Sequence, residues 1–105
     1  MRASRDILLQ TPDIEAAAAF YTRQFGCIEF MREPDMIGLE ADGFRLYLDR
    51  REPRGPILEF FVPDVQAAKA GIIADGGELV EEDPRVPRVY VRDRFGLLYN
   101  LSRHP

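Results

Sequence analysis

The sequence predicts an α+β fold built from two βαβββ modules, related by a pseudo-twofold axis and forming one curved mixed sheet with the helices outside. Three observations predict it. The stretch Leu8 to Ala19 returns as Glu59 to Ala70 with Pro, Asp and three Ala coincident. Gly26 and Gly77 follow in the same register, and each copy closes on a Gly followed by an apolar run, Gly43-Phe44-Arg45-Leu46-Tyr47-Leu48 and Gly96-Leu97-Leu98-Tyr99-Asn100-Leu101. Each copy also switches from strand-like alternation to an Ala-rich helical stretch and back, and an internal repeat of that kind marks a duplicated supersecondary unit.

The elements follow in order. A β-branched and apolar strand over about 6–11 runs into Pro12-Asp13, and its counterpart over about 57–62 runs into Pro63-Asp64. In each, the Asp carboxylate is suited to cap the first free amides of a helix. The Ala-rich segments over about 14–25 and 65–75 are good helix formers and stop at Gly26 and at Gly76-Gly77. Three short strands then follow in each half, near 27–33, 36–41 and 44–50 and near 78–82, 87–92 and 97–102, separated by Pro and Gly. The segment Arg51 to Pro56 reads as a linker, which sets module 1 at about 5–50 and module 2 at about 57–103. At 105 residues the chain holds one domain, 1–105, and half of it is too small to bury one sheet face alone.

These features carry a family resemblance. The paired βαβββ modules, the Pro-Asp-Ile/Val-x-Ala-Ala helix start, Ala19-Phe20-Tyr21 with Phe25-Gly26 behind it, and Asp93-Arg94-Phe95-Gly96-Leu97-Leu98-Tyr99-Asn100-Leu101 resemble the glyoxalase/bleomycin-resistance/extradiol dioxygenase (vicinal oxygen chelate) superfamily over nearly the whole chain. The resemblance implies either a metal-dependent lyase, isomerase, epimerase, dioxygenase or fosfomycin-resistance transferase, or a metal-free protein that sequesters bleomycin-type drugs. It also implies metal-ligand positions on the first and last strand of each module. Those positions hold Asp6, Tyr47, Ile57 and Asn100 here. One carboxylate, one phenol, one amide and one hydrocarbon make a poor donor set for zinc, iron, nickel, manganese or magnesium. No metal and no cofactor is therefore expected. A divalent ion held by carboxylates such as Asp6 and Glu59 is the alternative.

Period-two alternation gives the rest of the inner face. Asp6, Leu8 and Gln10 share a side of the first strand; Arg45, Tyr47 and Asp49 of the fourth; Ile57, Glu59 and Phe61 of the fifth; Leu98, Asn100 and Ser102 of the last. The opposite sides, Ile7-Leu9, Phe44-Leu46-Leu48, Leu58-Phe60-Val62 and Leu97-Tyr99-Leu101, are almost wholly apolar and belong under the helices. The candidate ligand-binding set is thus Asp6, Leu8, Arg45, Tyr47, Asp49, Ile57, Glu59, Phe61, Leu98 and Asn100. Rings beside carboxylates, with Arg45 as the one opposing charge, suit an aromatic ligand bearing a positive group. The competing reading has Arg45 bridged to Asp49 or Glu59 inside a filled core. Glu59, an acid in an apolar strand, must be solvated, paired or used, and is the candidate general base if the protein is an enzyme.

Composition excludes several classes. The formal charge is −4 and the 14 Lys+Arg are scattered among 18 Asp+Glu, so no nucleic-acid stripe exists. Cys27 is the only cysteine, which rules out an intrachain disulfide and reads as a small buried hydrophobe. No window has membrane-span length and the start lacks a signal-peptide pattern, so the expected place is the cytoplasm. His104, the one histidine, reads as a solvated tail residue, and no GxSxG elbow, Walker loop or dinucleotide fingerprint is present. The expected function is metal-independent binding of a small aromatic molecule, as in antibiotic resistance, by a homodimer that covers its strand edges. A glyoxalase- or dioxygenase-like enzyme is the alternative.

Overall fold

The two Pro-Asp junctions act as the repeat predicts. In the computed structural model, which describes residues 1–103, the Asp13 carboxylate accepts the Ala16 amide at 3.0 Å and the Asp64 carboxylate accepts the Ala67 amide at 3.0 Å. They start helix α1 (Ile14–Phe25) and helix α2 (Val65–Ala74). Helix α1 ends at Gly26, whose φ of 69° is the left-handed conformation that a Cβ disfavours and glycine accepts. The repeated Gly77 has another reason: an added Cβ would lie 2.7 Å from Ile72 Cγ2 and 2.9 Å from the Arg92 carbonyl oxygen.

The described residues form nine strands and two helices, an α+β fold. The chain divides into two compact units, Arg5–Ile57 and residues 1–4 together with the chain from Leu58 onward. In the N-terminal unit, β2 (Asp6–Thr11) precedes α1, and β3 (Ile28–Glu33), β4 (Met36–Glu40) and β5 (Arg45–Arg50) follow. Its strand order is β3-β4-β5-β2, with β2 parallel to β5, and the start of β6 (Arg54–Val62) pairs antiparallel with β2. In the C-terminal unit the later part of β6 precedes α2, and β7 (Glu78–Asp83), β8 (Arg88–Arg92) and β9 (Leu98–Arg103) follow. Its order is β6-β9-β8-β7, with β6 parallel to β9 and a short β1 (Arg2–Ala3) antiparallel to β6 at Phe60 and Phe61.

Each unit is therefore a βαβββ module whose first and last strands run side by side, and the expected alternation holds in both. Ile37, Leu39, Leu46 and Leu48 pack with Ile14, Ala18 and Cys27 under α1. Val62, Val89, Val91, Tyr99 and Leu101 pack with Val65, Ala68 and Ile72 under α2. Cys27 is a buried core residue, in line with its reading as a hydrophobe.

Three expectations need correction. The linker shrinks to residues 51–53, because Arg54-Gly55-Pro56 extends β6 rather than forming irregular chain. Phe44 and Leu97 stand before β5 and β9 and are 39% and 43% exposed instead of lying under a helix. Phe44 belongs to the turn made by Asp42 at φ 70°, and the Leu97 amide is held by the Asp93 carboxylate at 3.0 Å, which keeps both out of the ladder. Strand β1 was not foreseen, since two residues carry no period. His104 lies outside the described residues.

Chemical denaturation should find Asp13→Ala and Asp64→Ala each destabilising by about 1 kcal/mol, the usual worth of an N-cap. Gly77→Ala should cost about 1–3 kcal/mol, because the atoms that meet the new Cβ include backbone. A neutral Gly77→Ala would contradict the described packing.

Candidate functional site

On the face of the N-terminal unit turned away from α1, β2 and β5 bring five of the candidate residues and Gln10 into neighbouring pairs: Asp6 beside Arg45, Leu8 beside Tyr47, and Gln10 beside Asp49. Ile57 of β6 lies opposite Leu8. Gln10 is 2% exposed; it donates to the Asp49 carboxylate at 3.0 Å and accepts from Arg54 Nε at 2.6 Å. A buried amide with both ends satisfied is a structural clamp, and it occupies Asp49. Ile57 is buried as hydrocarbon. Asp6, Leu8, Arg45 and Tyr47 are half-buried on this face.

Arg45 does not bridge Asp49 or Glu59. Its Nε donates to Glu40 at 3.2 Å, and the same carboxylate accepts Arg5 Nη2 at 2.9 Å and the Asp42 amide at 2.9 Å. Arg45 first, then the Asp42 amide and Arg5, hold the Glu40 carboxyl below its ordinary range. The Arg45 guanidinium lies 4.8 Å above the ring of Phe30, which meets Tyr47 edge to face at 5.7 Å. Phe30 was missing from the sequence reading. It sits where the β3–β4 register shifts between Glu29 and Met31, and its ring occupies the space left by Gly38, where a Cβ would stand 2.8 Å from Phe30 Cζ. A bulge leaves no mark in hydropathy, so only the Gly in mid-strand hinted at a close approach.

In the C-terminal unit, β6 and β9 place Glu59 beside Asn100 and Phe61 beside Ser102. The Ser102 hydroxyl donates to Glu59 Oε2 at 2.7 Å, while the Asn100 amide nitrogen donates to Ser102 Oγ at 3.0 Å and reaches Glu59 at 3.5 Å. Asn100 Oδ1 accepts the Val89 amide at 2.9 Å, so its orientation is fixed by backbone. Leu98 is buried. Glu59, Phe61 and Ser102 form one wall of a pocket of about 510 Å³, with Glu82, Arg88 and Arg103 among its other lining residues.

The charge of this pocket corrects the sequence reading. Arg45 is not the one opposing cation: Arg88 and Arg103 line the pocket, and the Arg2 guanidinium lies 5.5 Å from the Phe61 centroid. Arg88 is bound to Glu81 at 2.7 Å and Glu82 to Lys69 at 2.8 Å. Lys69 and then Gln66 hold the Glu82 carboxyl below its ordinary range. Among the described residues Glu59 alone of the lining carboxylates has no cationic partner, and two side chains orient it.

The residues at the four positions implied for a metal do not fit one. Ile57 has no donor, and Asn100 has its carbonyl turned to the β8 backbone. Among the described residues no three His, Cys, Asp or Glu side chains gather as a metal site.

No protein-family model matches the sequence, and no curated protein matches it. Solved structures do. A glyoxalase/bleomycin resistance protein/dioxygenase superfamily member from Vibrio splendidus 12B01 superposes with a TM-score of 0.64 at 20% identity, over 93% of this chain and 96% of that one. The chain has the fold of that superfamily. A methylmalonyl-CoA epimerase from Streptomyces coelicolor, in complex with 2-nitronate-propionyl-CoA, shares the glyoxalase-like fold with a TM-score of 0.60 at 18% identity, over 100% and 99% of the two chains. A hypothetical protein from Bacillus halodurans C-125 gives 0.65 at 14% identity, over 95% and 92%. Among the described residues no helix is long and apolar enough to cross a membrane.

Two measurements check the geometry. Gln10→Leu removes the donor to a buried carboxylate and should cost about 1–3 kcal/mol in urea unfolding, whereas Gln10→Leu with Asp49→Leu should recover much of it. For Glu40, whose folded pKa is lowered, the stabilisation is present above the ordinary carboxylate pKa of about 4 and is lost as pH falls through the lowered value. Carbon-detected NMR titration should show the Glu40 pKa rising in Arg45→Ala; an unchanged midpoint would contradict the described pairing.

Proposed function

We propose that this protein is a metal-independent binder of an aromatic small molecule, of the bleomycin-resistance kind, whose positive or hydrogen-donating group sits on Glu59. The observation that carries this reading is the pocket wall of the C-terminal unit. A carboxylate without a cationic partner among the described residues is pre-oriented by Ser102 and Asn100 beside the Phe61 ring, at the edge of about 510 Å³ of space. That volume suits a small organic ligand. An oriented carboxylate pairs with a ligand cation at little reorganisation cost, and a ring beside it favours a flat cationic partner.

A second reading has its own support. A carboxylate that accepts a hydroxyl hydrogen bond at 2.7 Å is placed to take a proton, which makes Glu59 the candidate base of a metal-free isomerase or epimerase. A structural neighbour with the same fold is a methylmalonyl-CoA epimerase. Resistance to an antibiotic, a cytoplasmic location and a homodimer that covers the edge strands β3 and β7 complete the binding proposal.

Calorimetry against a panel of cationic aromatic natural products tests the first reading. It should return at least one ligand with micromolar affinity that added zinc, nickel, iron or manganese leaves unchanged. Glu59→Gln should weaken that ligand by about tenfold or more, the worth of one charge-assisted hydrogen bond. No ligand tighter than about millimolar, or stoichiometric metal in protein purified without chelators, would overturn the proposal. Solvent deuterium exchange into a bound ligand, abolished by Glu59→Gln, would decide for the enzyme.

A further inference from the structure

The duplicated module supplies an internal control for each of its positions, and one comparison between the units points to a second pocket. With the Pro-Asp junctions aligned, Leu9 of β2 corresponds to Phe60 of β6; with the closing strands aligned, Leu46 of β5 corresponds to Tyr99 of β9. Both pairs lie on the helix-covered side of their sheets. In the C-terminal unit the two rings meet edge to face at 5.1 Å and take part in the core under α2. In the N-terminal unit two leucines stand in their place, and a pocket of about 540 Å³ lies beside Leu9 and Leu46.

We propose that this pocket, between the last turns of α1 and the helix side of its sheet, is a binding site for an uncharged aromatic molecule. It is separate from the Glu59 pocket and does not depend on the reading given to it. Leu46 and Cys27 are buried on its lining, Ile7, Leu9 and Tyr21 are half-buried, and the rings of Phe25 and Phe44 stand 70% and 39% exposed. Tyr21 and Phe25 are stacked at 5.8 Å with an interplanar angle of 23°.

Chemistry selects the ligand class. No charged side chain lines the pocket, so a charged ligand would lose hydration with nothing to replace it. Flat rings offer offset and edge contacts to another ring, which an alkyl chain cannot use. The volume of about 540 Å³ is that of a small-molecule site, and the two leucines leave its floor aliphatic where the other unit has rings.

The test titrates the intact protein with N-phenyl-1-naphthylamine, an uncharged aromatic fluorophore, and follows methyl resonances in parallel. Emission should rise to saturation, and the Ile7, Leu9 and Leu46 methyls should shift. Leu9→Phe and, separately, Leu46→Phe place in this unit the ring that the other unit carries, and each should weaken binding by about tenfold or more by pushing a ring into the surface the ligand contacts. Leu9 is only half-buried, so its variant keeps the test decisive if Leu46→Phe fails to fold. Phe61→Ala, in the other pocket, should leave affinity within about twofold. The proposal is overturned by absence of saturable binding, by binding insensitive to both leucine variants, or by shifts at Val65, Val89 and Leu101 instead. It is equally overturned if light scattering finds a dimer that the fluorophore dissociates, which would put a second copy of the chain in the pocket.

Discussion

The constraint on which the rest depends is the parallel pairing of the first and last strands within each module. Asp6 to Thr11 runs beside Arg45 to Arg50, and Leu58 to Val62 runs beside Tyr99 to Arg103, residue for residue. Side chains alternate along a strand, so this register decides at once which residues go under a helix and which face away from it. Ile7, Leu9, Leu46 and Leu48 then belong to α1, and Val62, Tyr99 and Leu101 to α2. The capping carboxylates of Asp13 and Asp64 set where each helix begins and so where its apolar stripe meets the sheet.

Within that frame the two copies have diverged by exchanging where polarity sits. On the faces away from the helices, the N-terminal unit has the apolar pair Leu8 and Tyr47 followed by the polar pair Gln10 and Asp49. The C-terminal unit has the polar pair Glu59 and Asn100 followed by Phe61 and Ser102. The first polar pair is locked by Arg54 and buried, and contributes stability. The second keeps a carboxylate at a pocket wall, held by two neutral donors, and the proposed role of Glu59 rests on that difference. On the helix sides the exchange is of volume, with rings in one unit and leucines in the other.

Much of this was legible in the sequence, because repeats, Pro-Asp junctions and period-two alternation are local signals. The element order, both helices and the faces of all four central strands follow from them, and so does the resemblance that the superposed structures bear out as a common fold. What was not legible depends on side chains reaching across strands. Arg45 takes Glu40, five residues away in sequence and directly opposite on β4, because antiparallel pairing puts them side by side. Phe30 enters the inner face through a bulge, and Arg88 and Arg2 bring positive charge from elements that alternation did not connect with the site. Phe44 and Leu97 were misplaced for the complementary reason, since an apolar residue next to a strand looks the same as one inside it.

The most direct test is of the register itself. Nuclear Overhauser contacts across β6 and β9 should link Glu59 with Asn100 and Phe61 with Ser102, while the side chains of Tyr99 and Leu101, and not those of Asn100 and Ser102, contact α2. A pattern displaced by one residue, with Asn100 or Ser102 against α2, would turn Glu59 away from its pocket and contradict the account.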